Sequence, residues 1–579
     1  MKLILPYFKK NFYKILVGVL CMILVDGFQL IIPQIIRSAV DTLAESSIDR
    51  PVLIVQCLSI LGLGLAMAGL RCLWRILLMG SAREVEKGIR NHLFSHVLAL
   101  DPSFYDRTKT GDIMAHATSD INHVRMAFGF GIIVLVDILL LGGATLGIML
   151  WTHPRLTALS MIPIPFLIYF TKSLGQKMHD YHKTAQESFS ILTEMVRENF
   201  FGIRVIKVFN FEPAADKKVR AAAGDYFKKN LKRAVVTALL KPLLGFFFNL
   251  STLIIIFYGG FLVMENRLSP GELVAFLEYL GLLAWPAIAV GWMVNLFQRG
   301  TASLHRISTL LDARPRVKAP ASPAAPAGLK GRIEFRDASF FYNPDTPVLS
   351  NLSMDIRPGT SIGITGPPGS GKTSLVQLIP RLYDLTSGKL LLDGRDIALF
   401  HPDDLRREIG FMAQEPFLFS GTIRENILMG REMDDTVLDR IIRVCDLEQT
   451  LERMPEGMDT LVGERGVTLS GGQKQRVALA RTLAFPAPVI ILDDPVSQLD
   501  THTAEKIMSR LALEQKEMDR PYSLIIISHR LSALAGCDRV YVLKEGRIQN
   551  RGTHEDLIQR DSFYRESFRI QQFEEGIRE

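Results

Sequence analysis

At 579 residues the chain exceeds one ordinary hydrophobic core and should divide into at least two domains. Its 48% hydrophobic content and positive mean hydropathy exclude a simple soluble protein of this length. A formal net charge of +7 would suit a nucleic-acid binder, but the basic residues cluster at membrane boundaries as well as in the polar half; topology and anionic lipid explain them, and no nucleic-acid partner is expected.

The first half predicts six membrane spans, near 15–36, 52–78, 127–151, 155–173, 235–264 and 273–298, each able to cross a hydrocarbon core of about 30 Å. The N-terminal arm holds Lys2, Lys9, Lys10 and Lys14 without an acidic residue, and Arg83, Lys87, Arg90, Arg107 and Lys109 follow the second span. By the positive-inside rule both regions face the cytoplasm, as does everything after the sixth span. No small-residue cleavage site follows the first apolar stretch, so it reads as a span and not as a cleaved signal peptide. The outward connections are short (37–51, 152–154 and 265–272). The inward ones (79–126 and 174–234) are long, charged and helix-patterned, so helices should project into the cytoplasm. Cys21, Cys57, Cys72, Cys445 and Cys537 form no C-x-x-C pair and indicate neither a metal site nor a disulfide framework.

Ionisable residues inside spans are costly and mark functional positions. Asp26 and Asp137 should lie near mid-membrane and Glu278 nearer the outer third, either facing a cavity suited to lipophilic cations or serving as hydrogen-bond partners between helices. Arg71, Arg75, Lys241 and Arg299 fall toward the cytoplasmic leaflet, as snorkelling anchors or as partners for lipid phosphates.

DARPRVKAPASPAAPAG, from 312 to 328, resists helix and strand alike and marks a linker, so the expected division is a transmembrane domain at 1–311, a Pro/Ala linker at 312–330 and a second domain at 331–579. Beyond the linker, short β-rich runs (RIEFRDASFFY, SIGITG, KLLLDG, VIILDD, SLIIIS) alternate with helical stretches, which predicts an α/β domain with a mostly parallel core sheet. GPPGSGKTS, at 366–374, fits the phosphate-loop pattern between a strand and a helix. Gly366, Gly369 and Gly371 let backbone N–H groups wrap phosphates, with Ser370 and Ser374 in the same stretch; Lys372 neutralises the outer phosphates and Thr373 ligates magnesium. LSGGQ supplies a second anion surface: Ser470 caps a helix expected to start near Gln473, and Gly471 and Gly472 leave its positive end open. One chain with two half-sites suggests a head-to-tail dimer. The apolar run VIIL ends in Asp493, a magnesium ligand, and Asp494, placed to orient the attacking water.

The phosphate loop, LSGGQ and the magnesium strand, in that order behind six spans, resemble a half-transporter of the ATP-binding cassette (ABC) exporter family over essentially the whole chain. The resemblance implies a multidomain α and α/β protein, a six-helix transmembrane domain of ABC exporter type followed by a P-loop ABC ATPase domain. It also implies an ATPase that uses ATP and Mg2+ in a cytoplasmic (inner) membrane of bacterial type. Tyr342 in SFFYN resembles the aromatic that stacks on adenine, Gln414 in FMAQEPFLF the glutamine that touches magnesium, and His529 in IIISHRLS the histidine at the γ-phosphate. GERG (463–466) resembles a coupling loop. SQLD, from Ser497 to Asp500, resembles the dimer-contact loop, where SALD is usual. FYDRTKTGDIMAHATSD (104–120) and LTEMVRENFFGIRVIKVFNFE (192–212) resemble the regions that pass motion between domains. ILDD together with YLGLLAWPAIAVGWMVNLFQRG resembles Mdl-type multidrug-resistance-like half-transporters, which work as heterodimers.

In the family the position of Asp494 is glutamate. A carboxylate one methylene short should bind Mg-ATP yet cleave it slowly, which fits a partner half-transporter that keeps the glutamate; a homodimer in which Asp494 is an adequate base is the alternative. The implied function is ATP-driven export of amphipathic or hydrophobic small molecules, with lipid translocation as the next reading and an ATP-gated channel or regulatory subunit as the third. A soluble DNA-repair ATPase would share the nucleotide motifs but not the six spans.

Overall fold

The computed structural model describes residues 3–44, 50–326, 328–343, 346–463, 466, 468–517 and 521–576. It forms two compact units, Met1–Leu98 with Gly111–Asp312, and Ala99–Thr110 with Ala313–Glu579.

The first unit is built on six helices: α1 (Phe12–Ala44), α2 (Arg50–Leu98), α3 (Thr110–Thr152), α4 (Pro154–Phe201), α5 (Glu212–Met264) and α6 (Pro270–Leu311). Each contains an apolar window of membrane-spanning length. Each runs past the apolar segment expected from sequence, because helical turns with polar residues continue beyond the hydrocarbon-length stretch. Helix α3 is wound into π turns at His116–Asp120, Met126–Phe130 and Ile138–Gly142. Local chemistry sets the helix starts. Ser269 Oγ accepts from the Glu272 N–H (3.0 Å) while the Glu272 carboxylate accepts from the Ser269 N–H (2.8 Å), a capping box that opens α6. Asp41 of α1 accepts from the Gly271 N–H (2.8 Å) and the Ser269 hydroxyl (2.9 Å), fastening α1 to that start. Further along α6, Ser303 Oγ and Arg306 Nε donate to Asp120 of α3 at 2.8 and 3.0 Å, and His116 Nδ1 lies 2.6 Å from the same carboxylate. The buried acid is thus fully paired.

Among the described residues, the second unit carries three sheets. A four-stranded antiparallel sheet has the order β2 (Thr346–Ile356), β1 (Ile333–Asn343), β4 (Ser387–Leu392), β5 (Arg395–Asp396). A six-stranded sheet has the order β12 (Arg547–Gly552), β11 (Arg539–Lys544), β3 (Ser361–Thr365), β10 (Ser523–Ile527), β9 (Val489–Asp493), β6 (Ile409–Met412), parallel throughout except for β12. Two short strands, β7 (Gly421–Thr422) and β8 (Leu461–Val462), pair separately. Every residue of β3, β9 and β10 is buried, which is why these strands read as unbroken apolar runs. RIEFRDASFFY and KLLLDG, two of the β-rich runs from which a mostly parallel core sheet is expected, instead pair with each other as β1 and β4 in the antiparallel sheet. The Pro/Ala segment also differs from a free linker. Ala324 bridges Phe400, Arg381 donates to Lys318 O at 3.0 Å, and Asp393 accepts from the N–H groups of Lys330, Gly331 and Arg332. These bonds to side chains and backbone of the second unit make the segment a strap on that unit.

Candidate functional site

Register brings the site together. Ile527 of β10 lies beside Ile364 of β3 on one side and Asp493 of β9 on the other, and Met412 of β6 lies beside Leu492. The loops after all four strands therefore leave from one edge of the parallel sheet, the carboxyl edge where such sheets bind ligands.

After β3 the chain turns through Gly366 (φ +151°), Gly369 (φ +75°) and Gly371 (φ +96°) into helix α7 (Lys372–Leu378). A Cβ on Gly366 would lie 2.0 Å from Leu543 O, so both the turn and its neighbour demand glycine. The Lys372 ammonium is buried and donates to the carbonyls of Gly366 and Pro367, each at 2.9 Å; Ser370 Oγ lies 3.4 Å away. Burial pushes its pKa down, against the charges of Asp493 and Asp494.

Asp493 is 2% exposed, and Thr373 hydrogen-bonds its carboxylate. Burial, reinforced by the neighbouring Asp494, raises its pKa to about 6 despite Thr373 and Lys372. Its Oδ2 is buried with no hydrogen-bond partner. A buried carboxylate oxygen beside a threonine hydroxyl is a donor set of the all-oxygen kind that magnesium takes, so the residues fit that ion. Gln414, two residues past β6, is exposed.

Asp494 is buried at φ +55°, in the left-handed region uncommon for a non-glycine residue. Its N–H donates to Ile527 O (2.9 Å), its carbonyl accepts from Gln475 Nε2 (2.8 Å), and Ser528 Oγ donates to Oδ1 at 3.4 Å. His529 follows β10 closely. Burial and then the Lys372 charge hold its imidazole below the usual pKa, opposed by Asp494. Its carbonyl accepts from Gln571 Nε2 at 2.7 Å. Tyr342 stands at the end of β1 with its hydroxyl 3.1 Å from Ser374 Oγ and 3.3 Å from Gln377 Oε1. Its ring meets Phe340 and Tyr383 edge-on, and 37% of the residue remains exposed.

Ser470 opens helix α8 (Gly471–Leu483) with a capping box: its hydroxyl accepts from the Gln473 N–H (3.3 Å) while Gln473 Oε1 accepts from the Ser470 N–H (2.9 Å). The helix starts two residues before the expected Gln473, because Gly471 and Gly472 are already wound into its first turn. Ser470 and Gly471 are exposed, and among the described residues no hydrogen bond joins the Ser470–Gln473 side chains to the phosphate loop. A Cβ on Gly471 would come within 2.3 Å of Gln498 Oε1, the residue that replaces the usual alanine of SALD. Of GERG, Glu464 and Arg465 lie outside the described residues. In the first unit Asp26 is buried and Asp137 half-buried, whereas Glu278 is exposed.

Sequence reasoning missed Gln475, Ser528 and Gln571. Gln475 is fully buried and joins α8 to the loop after β9 by bonds to Asp494 O, Ser497 Oγ and the Gln498 N–H. A polar residue on the apolar face of VALARTLA's own helix was the available signal. Gln571 gave none, since its partners lie about forty residues earlier in sequence.

Six membrane-length helices and a phosphate-loop ATPase unit define an ATP-driven membrane transporter. The chain belongs to the ABC transporter family: residues 15–287 match the ABC transporter transmembrane region and 349–497 the ABC transporter ATPase region. It is 34% identical to the multidrug resistance-like ATP-binding protein MdlA of Escherichia coli, over 99% of this chain and 96% of that one. It is 34% identical to the probable multidrug resistance ABC transporter ATP-binding/permease protein YheI of Bacillus subtilis, over 98% of each. It is 30% identical to the ATP-dependent lipid A-core flippase of Syntrophus aciditrophicus, over 97% of this chain and 93% of that one. A bacterial Atm1-family ABC exporter solved with ATP bound shares the fold, with a TM-score of 0.77 at 24% identity, over 96% of this chain and 99% of that one. The chain is thus an ABC exporter half-transporter, a multi-pass membrane protein whose ATPase domain binds ATP and couples its hydrolysis to transport.

Proposed function

We propose that the chain is one half of a heterodimeric exporter of amphipathic compounds, and that its own phosphate-loop site turns over slowly. Asp494 carries this reading. Aspartate retracts the carboxylate by about one carbon–carbon bond, and a misplacement of about 1 Å can cost about a hundredfold in rate. The backbone has no slack to make up the difference, because Asp494 is held through its N–H by Ile527 and through its carbonyl by Gln475. The other groups for binding are present. Lys372 and the glycine loop would take the phosphates and Tyr342 the adenine. Asp493 and Thr373, with Gln414, would hold Mg2+, which when bound offsets phosphate charge. His529 would meet the γ-phosphate. Ser470 and Gly471 are exposed and Gly472 and Gln473 half-buried, so the start of α8 is open to contribute a half-site that completes the partner's nucleotide pocket.

In this reading the partner is a second half-transporter with glutamate at the matching position. The complex lies in a bacterial cytoplasmic membrane, with the lysine-rich arm, the strap at 312–330 and the ATPase domain (331–579) inside. ATP turnover by the purified chain should be poor and should rise at least tenfold on co-purification with such a partner. Rapid cooperative turnover by the chain alone would instead support a homodimer with Asp494 as base. The relationship to a lipid A-core flippase favours lipid translocation as a second reading. Movement of a fluorescent lipid across proteoliposomes, with no dye uptake, would select it.

A further inference from the structure

We propose that the first unit holds a ligand site of its own, between α1, α2, α3 and α6, built for a flat aromatic monocation. The proposal deepens the export reading and rests on it. The cavity has a volume of about 260 Å³, and Asp26, Gln29, Arg71, Trp74, Asp137 and Trp285 are among the residues that line it. That is slightly below the roughly 300 Å³ at which drug-sized pockets begin, and it suits two or three fused rings.

The charges in this cavity are not closed on one another. Asp26 is 5% exposed, and its Oδ2 is buried with no hydrogen-bond partner. Trp285 hydrogen-bonds the Asp137 carboxylate. Arg71 lines the same space, yet among the described residues it makes no ion pair within 4 Å with either acid. Helix-to-helix fastening looks different in this protein: Asp120 is bonded by Arg306, Ser303 and His116 together. A carboxylate oxygen kept from water without a partner is costly, and more so in a membrane interior. Such an oxygen is retained where something else pairs it.

The composition of the lining states what that is. Two carboxylates and one guanidinium leave a formal charge of −2 + 1 = −1, which one positive charge completes. The indoles of Trp74 and Trp285 offer flat, electron-rich faces to a ring system bearing that charge. Asp137 directly precedes the π turn Ile138–Gly142, a local unwinding of the kind found at functional positions in helices. Each of the four helices contributes at least one of these residues, so the site lies within one half-transporter.

Equilibrium dialysis of the full chain in phosphatidylcholine nanodiscs, without nucleotide and corrected for empty nanodiscs, tests this with proflavine, a tricyclic monocation, and phenazine, a neutral tricycle. Proflavine should bind saturably, one per chain. Asp26→Asn and Asp137→Asn should each weaken it about tenfold or more, while Arg71→Gln, which removes a like charge, should tighten it severalfold. Phenazine should change less than about twofold in all three variants. A gain in affinity cannot come from misfolding, so the arginine variant guards the test. Equal loss of both probes in the aspartate variants, or weaker proflavine binding in Arg71→Gln, would overturn the site. ATP-driven uptake of phenazine into inverted vesicles without saturable proflavine binding would overturn it while the export reading stands. The full binding pattern without any ATP-driven uptake would support the site and count against export.

Discussion

Asp494 occupies a position where backbone geometry and side-chain length cannot compensate for each other. At φ +55°, with its amide and carbonyl both bonded, it cannot slide forward, so only a longer side chain advances the carboxylate. Asp494→Glu in the isolated chain should therefore raise ATP turnover by about ten- to a hundredfold with little change in nucleotide affinity. Steady-state hydrolysis and fluorescent-ATP binding, measured side by side, check both halves of that statement. Asp493, next to it, sets a pH limit. Its pKa is raised by burial to about 6, so below that pH it is protonated and a poor metal ligand. Magnesium-dependent nucleotide binding should fall as pH drops through about 6, and Asp493→Asn should abolish the dependence along with most of the magnesium effect. The linked stability has the opposite sense. A raised acid favours the metal-free fold at low pH, and that contribution is lost as pH rises through about 6.

At the scale of elements, the segment Ala99–Thr110 clusters with the ATPase unit although it precedes the strap by two hundred residues. Asp101 explains its attachment. Its carboxylate accepts from the N–H groups of Arg316 and Val317 and from the Ser103 hydroxyl, and these bonds outweigh burial to hold it below the usual carboxylate pKa. Asp106 adds a bond from the Tyr383 hydroxyl at 2.9 Å, and Tyr383 in turn packs edge-on against Tyr342. Because the folded pKa of Asp101 is depressed, its stabilisation is present above the ordinary carboxylate value and is lost as pH falls below about 4. Asp101→Asn should cost about 1–3 kcal/mol locally. Hydrogen exchange at Arg316 and Val317 should then be faster by roughly ten- to a hundredfold, with the sheet amides unchanged. Equal protection in both proteins would mean that the carboxylate does not anchor the strap.

These elements also show what was legible in the sequence. Buried parallel strands announce themselves as VIIL and LIII, and a serine before two glycines announces the start of α8, because each signal is local. The membership of KLLLDG in the antiparallel sheet, the strap on the second unit, and the support of His529 by Gln571 depend on partners far away in sequence, which no window of local pattern contains. The cavity between α1, α2, α3 and α6 was legible only as isolated charges. Asp26 and Asp137 were marked by their cost in a membrane, but their convergence with Arg71 and two indoles is a product of packing.

At the scale of the whole molecule, ABC exporters work as dimers, and in the heterodimer proposed above the exposed start of α8 would serve the partner's nucleotide site while the buried Asp494 would serve this chain's own. Gly471→Asp would place a carboxylate at the helix N-terminus offered to the partner's nucleotide, where close like charges in a partly desolvated interface cost on the order of several kcal/mol. The steric conflict with Gln498 involves only the end of a flexible side chain and should relax. In the proposed reading, Asp494→Ala removes a base already set back in a slow site.

The deciding measurement is steady-state ATP hydrolysis by the co-purified complex, with these two substitutions made separately in this chain. Gly471→Asp should nearly abolish turnover. Asp494→Ala should lower it only slightly, far less than the roughly 10² to 10⁴-fold expected for loss of a working general base. The reverse order, with Asp494→Ala abolishing hydrolysis and Gly471→Asp sparing it, would mean that this chain owns the fast site and would contradict the heterodimer reading.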